Sequence, residues 1–338
     1  MGNEIFLYGI IIICIFIILM LLLTFALYRR IDGWSNKNKK SDSDAAKNDN
    51  DAYKENEFGK DEIGDLVVSF NSMEGALKTQ MQNVARMTAE KEKVQAELDV
   101  ATRIQRDMLP TNFKSVKVFG NCDIYGNMTP AKEVGGDFYD FFPIDEDRLC
   151  IVIADVSGKG VPGALFMTIS KVLIKQRAMS PGSPAQILSD VNNQLCQDNK
   201  EMLFVTVWLG IINTKTFEVD YCNAGHEYPV ILRNGKATLV GEGENDPPLA
   251  LAEDFPFTDR KTRLKAGDGL YVYTDGVPEA KGINNERYTV DRMLAKLEEA
   301  DEDYECSTLI QNMVADMDEF VGGKEPFDDV TMLMVRIK

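Results

Sequence analysis

Ile153-Ala-Asp-Val-Ser-Gly-Lys-Gly-Val-Pro-Gly-Ala-Leu165 joins an apolar run to a glycine-rich turn that carries a lysine. A phosphate-cradling P-loop would need glycine at position 153 and Ser or Thr at position 160. Ile153 and Gly160 stand there instead. The residue to read is therefore Asp155, ahead of the glycines. It ends the β-type run Cys150-Ile-Val-Ile-Ala154, so a strand delivers a carboxylate to its own edge. Gly158 and Gly160 supply the turn, and Pro162 opens a helix where a missing N–H costs nothing. Lys159 is expected to face solvent, with a phosphate edge as the alternative.

Three further stretches repeat this arrangement. Gly135-Gly136-Asp137-Phe-Tyr-Asp140 places Asp137 after two glycines. Asp275 ends Leu270-Tyr-Val-Tyr-Thr274 and is followed by Gly276, and Asp328-Asp329 precede Val330-Thr-Met-Leu-Met-Val335. One aspartate after a strand is ordinarily a turn or helix cap. Acids recurring at strand ends would repel one another at a common edge unless cations joined them. Oxygen-only ligands select Mg²⁺ or Mn²⁺ rather than zinc.

Between these motifs, short β-type runs alternate with helical patterns. Strands are predicted at 123–128, 149–154, 204–212, 217–223, 228–232, 269–274 and 330–337, and helices after Pro162, Pro184, Val290 and Ser307. Tight turns such as Asn213-Thr-Lys-Thr216 and Arg233-Asn-Gly-Lys236 favour antiparallel sheets over a doubly wound parallel one. Ser180-Pro-Gly-Ser-Pro184 reads as a rigid turn. Glu242-Gly-Glu-Asn-Asp-Pro-Pro248 reads as a solvated acidic loop that could gate a substrate.

The chain has 338 residues, 27% charged and 44% hydrophobic, with a formal net charge of −17. That charge argues against nucleic acid as a partner, because duplex binding needs a basic footprint. It leaves a phosphorylated substrate open, since bound cations reverse the local sign. The six cysteines form no C-x-x-C pair and read as small buried thiols. His226 is the single histidine, which excludes a His-rich metal site.

Ile5–Tyr28 is an uncharged apolar run long enough for the ~20 residues of a spanning helix. Arg29, Arg30, Lys37, Lys39 and Lys40 follow it, so the C-terminal side is expected in the cytoplasm, with residues 1–30 a single-pass anchor in the cell membrane lipid. Residues 31–57 read as a flexible polar linker. Residues 58–109 read as one helical stretch: Ile63, Leu66, Val67, Phe70, Met73 and Leu77 recur at helical spacing, and Met81, Val84, Met87, Val94, Leu98, Ala101, Ile104 and Met108 continue the stripe to Pro110. The spacing suggests a coiled coil, and a homodimer through residues 73–108. The Asp61-Glu-Ile-Gly start and Phe70-Asn-Ser-Met73 core resemble the second helix of a HAMP signal-relay module. Residues 31–56 do not supply its first helix.

Taken together, Met108-Leu-Pro110, the Gly135–Asp140 motif, the Asp155–Leu165 motif, Asn223-Ala-Gly-His-Glu-Tyr-Pro229, Tyr273-Thr-Asp-Gly-Val-Pro-Glu-Ala280 and Phe327-Asp-Asp-Val-Thr331 resemble the SpoIIE/RsbU-like branch of the metal-dependent protein Ser/Thr phosphatases. The resemblance covers roughly Met108 to Lys338, and the phosphatase domain it implies is residues 110–338. It implies an α+β fold, an α-β-β-α sandwich of two antiparallel sheets flanked by helices, with two Mn²⁺ or Mg²⁺ at one edge. By resemblance, Asp155 bridges both metals, the Val156 carbonyl adds a ligand, Asp137 serves one metal and Asp275 and Asp328 the other. Asp329, where relatives often carry Asn, would support a ligand or touch a further cation. Gly136 and Gly276 would give the backbone room. The activity implied is hydrolysis of phosphoserine or phosphothreonine by a metal-activated water, on a phosphorylated anti-sigma-factor antagonist.

Physical chemistry agrees with that reading: no Cys or His motif suggests a covalent phosphoenzyme, and two metals ~3.5–4 Å apart can orient and acidify a water. Lys132 is the cation nearest the first acidic motif, either a phosphate contact or a surface lysine. His226 is either a general acid for the leaving alkoxide or a turn residue tying two strands together. A membrane-linked nucleotide cyclase and a catalytically silent scaffold are the alternative functions. The first lacks paired metal aspartates within one strand-turn unit, and intact acids at every motif argue against the second.

Overall fold

The structure is a computed structural model that describes residues 62–113, 122–324 and 326–338. The expected anchor and linker lie outside the described residues. Among the described residues, no helix is long and apolar enough to cross a membrane. The chain divides into two compact units, Met1–Met81 and Gln82–Lys338. The division falls within the first described helix, α1 (Glu62–Met108). The second unit carries both sheets and every candidate site residue.

Among the described residues, ten strands make two five-stranded sheets. The first has the order β1 (Cys122–Thr129), β10 (Val330–Ile337), β9 (Gly269–Tyr273), β6 (Val230–Arg233), β7 (Lys236–Leu239). The second has the order β2 (Phe138–Pro143), β3 (Arg148–Val156), β4 (Val205–Asn213), β5 (Glu218–Ala224), β8 (Arg260–Arg263). All pairings between these strands are antiparallel, as the turn chemistry predicts. The β6–β7 hairpin shows why: Asn234 and Gly235 hold φ of 51° and 72°, the left-handed pair a two-residue turn requires.

Two apolar layers hold the sandwich. Leu333, Val335, Leu270, Val272 and Ile124 face the second sheet, meeting Tyr139, Phe141, Ile151 and Ile153. The alternate residues Met332, Met334, Tyr271 and Tyr273 turn outward onto α4 (Val290–Glu298) and α5 (Cys306–Val321). Strand β10 is buried on both faces, which accounts for its continuous apolar run. On the far side of the second sheet, α2 (Val161–Ala178) and α3 (Pro184–Cys196) cover β2–β5 with Met167, Ile174, Ile187, Leu188 and Val191. The α3 start follows the expected chemistry: Pro184 opens the helix and Ser183 Oγ accepts from Gln186 N at 3.3 Å.

Three strands are absent from the sequence expectation. In β2 the apolar run is broken by Asp140, and β7 and β8 are four-residue strands with two or more polar residues each. The acidic loop is also tighter than expected. Asp246 lies on Arg260 at 3.0 Å and accepts from Thr258 N at 2.9 Å, so only residues 242–245 of the loop are exposed.

Along α1, Val84, Met87, Val94 and Ile104 are exposed. At the helix's end the domain buries Gln105 and Leu109 instead.

Candidate active site

Both sheets bring carboxylates to one edge. In the second sheet Asp155 is the penultimate residue of β3 and Asp137 directly precedes β2, whose Phe138 pairs with Ala154. In the first sheet Asp275 follows β9 and Asp328 precedes β10, and the two strands stay joined beyond their ends by Thr274 N donating to Thr331 O at 3.0 Å. Thr274 and Thr331 then reach across: their hydroxyls donate to Asp137 Oδ2 at 2.7 and 2.6 Å.

The electrostatics record this convergence. Burial holds the Asp137 carboxyl well above its usual range, and Asp155 and Asp329 push the same way against the two threonine hydrogen bonds. Asp155 is raised to about 7, by burial first and then by Asp275, with Asp328 and Asp329 adding to it and a hydrogen bond with Asp137 opposing. Burial, then Asp328 and Glu279, raise Asp275, while Lys159 and the Gly276 N–H oppose. Glu227 is raised by burial, Asp275 and Glu279, so it belongs to the same field. It sits inside the Asn223–Pro229 motif, where only its histidine drew notice.

Among the described residues, no three His, Cys, Asp or Glu side chains form a ready-made metal cage. The reason is visible in the partners. Asp137 is turned to the threonines, and Asp328 is held by Lys159 Nζ at 2.8 Å. The chemistry of the donor set nevertheless fits a hard divalent cation. It is all oxygen, it is partly desolvated, and its members raise one another's proton affinity, which is the repulsion a cation reverses. Gly136 keeps the approach to the Val156 carbonyl open: a Cβ there would lie 2.9 Å from that oxygen. At Gly276 a Cβ would lie 1.9 Å from the Asp329 carbonyl, so this turn admits only glycine.

Both carboxylate oxygens of Asp329 are taken up by backbone N–H groups. Its Oδ1 accepts from Ala131 N at 2.7 Å, and its Oδ2 from Gly136 N at 2.6 Å and Asp137 N at 3.3 Å. It thereby anchors the loop that carries Asp137.

Lys132 and Lys159 are both exposed, and Lys159 in addition has partners. Its Nζ donates to the Phe327 carbonyl at 2.8 Å, pairs with Asp328, and lies 4.6 Å from the centre of the Phe327 ring. His226 is 5% exposed, with Nδ1 and Thr206 Oγ1 2.8 Å apart. Its backbone is clasped by the Asn223 side chain at 2.8 and 3.0 Å. Burial lowers its pKa to about 3, against a hydrogen bond from the ring to the Tyr273 backbone. The clasped backbone and the neutral imidazole fit a turn residue that ties two strands together. Thr206, the β4 partner of Asp155, links this turn to the end of β3.

Residues outside every motif complete the surroundings. Lys171 on α2 is 6% exposed and pairs with Asp140, which is 2% exposed, and Lys175 approaches the same carboxylate at 3.4 Å. Gln105 on α1 hydrogen-bonds Gly135. Neither stands out by type or spacing, since a lysine or glutamine on a helix is ordinarily a surface residue.

This sandwich with its acid edge is the architecture of a PP2C-type protein phosphatase domain. The PP2C domain of SiaA from Pseudomonas aeruginosa superposes with a TM-score of 0.65 over 74% of this chain and 99% of that domain, at 23% identity. A family model for Stage II sporulation protein E (SpoIIE) matches residues 145–338, and the chain belongs to that family. Among curated proteins it is similar to Protein IcfG of Synechocystis sp., 28% identical over 305 residues, and to phosphoserine phosphatase RsbU of Bacillus subtilis, 26% identical over 252 residues. The match takes in 81% of this chain but 46% of IcfG, and 73% of this chain and 72% of RsbU.

Proposed function

We propose that the chain is a metal-dependent protein phosphatase that hydrolyses phosphoserine or phosphothreonine on a protein substrate. The observation that carries this is the gathering of Asp137, Asp155, Asp275 and Asp328 at one edge of the sandwich, the first three raised by burial and then by neighbouring carboxylates. Asp155 and the Val156 carbonyl would hold two Mn²⁺ or Mg²⁺ together with Asp137, Asp275 and Asp328. The ions supply charge neutralisation of the phosphoryl group and an acidified water.

The chain's own residues do the rest. Thr274 and Thr331 fix the Asp137 carboxylate, and Asp329 fixes its backbone. Lys159, tethered beside Asp328, is the cation placed to meet a phosphoryl oxygen. A cleft of about 480 Å³ opens beside Gly276 and Asp328, bordered by Lys281 and Phe327, and offers a surface for the protein that carries the phosphate.

The similarity to RsbU supports a phosphorylated anti-sigma-factor antagonist as the substrate. The apolar run Ile5–Tyr28 supports a membrane anchor, and the exposed stripe Val84, Met87 and Val94 supports a homodimer through α1. The test is release of phosphate from a phosphoserine protein with Mn²⁺. Equal rates for wild type and Asp155→Ala would refute the assignment. Cyclisation of ATP or GTP by the same preparation would support the cyclase reading in its place.

A further inference from the structure

The segment from Pro130 to Asp137, between β1 and β2, has no regular secondary structure, yet it delivers Asp137 to the acid edge. Two distant parts of the chain hold it. Asp329 accepts three of its backbone N–H groups from one side. From the other side comes α1. Gln105 Nε2 donates to the Gly135 carbonyl at 2.6 Å, and Gln105 Oε1 accepts from Gly135 N at 3.0 Å. The side-chain amide thus satisfies both backbone groups of one residue, as a neighbouring strand would. One turn earlier, Thr102 Oγ1 donates to the Glu133 carbonyl.

Gln105 is 7% exposed, whereas Ile104 beside it is 59% exposed. The helix therefore buries an amide and leaves an aliphatic residue in solvent, the reverse of what burial alone selects. A buried amide is tolerated only where its donor and acceptor are both used. Glu has the length but no donor, and Leu or Met has neither group.

We propose that Gln105 is a positioning residue for the cation site. Its amide sets the backbone at Gly135, next but one to Asp137, so that Asp137 meets a divalent ion in the right place only while the last turn of α1 is docked. The inference rests on Asp137 being a metal ligand. Supporting groups one step behind a ligand change metal affinity by roughly 10–100-fold when removed.

The experiment is calorimetric titration of the full chain with Mn²⁺, alongside thermal unfolding without metal and phosphatase assays across Mn²⁺ concentrations. Gln105→Met keeps the length and loses both hydrogen bonds. It should weaken Mn²⁺ binding about 10-fold or more, with turnover recovering as Mn²⁺ is raised. Thr102→Val, which keeps its shape, should shift affinity the same way by less, and serves if Gln105→Met does not fold. Wild-type Mn²⁺ affinity in both variants, with only the unfolding temperature lowered, would overturn the proposal and leave Gln105 a structural tie. Absence of Mn²⁺ binding by wild type would instead overturn the phosphatase reading.

Discussion

Asp137 and Asp140 stand three residues apart in one motif, and each is 2% exposed. The fold treats them in opposite ways. Asp140 points to the helix side of the second sheet, where Lys171 and Lys175 of α2 supply positive charge from within the chain. Asp137 points to the sandwich edge, where Asp155 and Asp329 face it and two threonine hydroxyls are its hydrogen-bond partners. A buried charge paired internally is a tie between elements. A buried charge set among like charges costs stability and is kept for a partner from outside. The distinction separates the architectural acid from the chemical one, although the sequence spacing makes them look like a pair.

Breaking each side should give opposite signatures. The largest effect is expected for Asp155→Asn: turnover with Mn²⁺ should fall on the order of 10³-fold, as loss of several kcal/mol of metal-borne stabilisation implies. Its metal-free thermal unfolding temperature should rise, because one of the repelling charges is gone. A lowered unfolding temperature would erase the contrast with Asp140. Next, Lys171→Met should destabilise by about 3–5 kcal/mol in urea unfolding, the cost of stranding a buried charge. The double variant Asp140→Asn/Lys171→Met should recover most of that loss, with turnover per folded molecule close to wild type throughout.

His226 sharpens the comparison from a neutral direction. Its pKa is about 3 folded and near 6.5 unfolded, so the unfolded chain binds the extra proton between those values. Its contribution to stability is therefore complete above pH 6.5 and is lost as pH falls toward 3, at about 1.4 kcal/mol per pH unit. Unfolding measured across that window should show the slope, and His226→Gln should remove it. An alkaline limb in the turnover profile that disappeared with the same variant would favour the general-acid role. The smallest effect is expected for Lys159→Gln. Freeing Asp328 should tighten Mn²⁺ binding about 2–5-fold, the scale of a partly exposed ion pair; unchanged or weaker binding would show that Lys159 does not compete with the ion.

The sandwich and the acid edge were legible because both are written in local patterns. Strand β10 was predicted at 330–337 as it stands, since an apolar run between an Asp-Asp pair and a basic end has few other readings. The four acids were found by their place after or before such runs. Strand β2 was hidden because its buried Asp140 breaks the apolar run, and only the presence of Lys171 on α2, some thirty residues on, makes that burial tolerable. Asp329 was left between supporting a ligand and touching a cation, because spacing cannot reveal that three backbone N–H groups nearly two hundred residues away would be its partners. Gln105 was passed over for the same reason. Helix and strand periods report a residue's own element, and these roles are defined by another one.

The hydroxyl of Thr331 meets Asp137 across 194 positions of chain, and Asp329 meets Gly136 across 193. Contacts of that span are among the last that a folding chain can afford, because the entropy of closing the loop must be met before the contact returns anything. Partly folded states that keep the hairpin β6–β7 or the meander β3–β4–β5, all made of near neighbours, would hold Asp155 but leave Asp137 without its threonines and its anchor. The acid edge therefore comes together at the end of folding, and an incompletely folded molecule would carry the aspartates without the place where they meet.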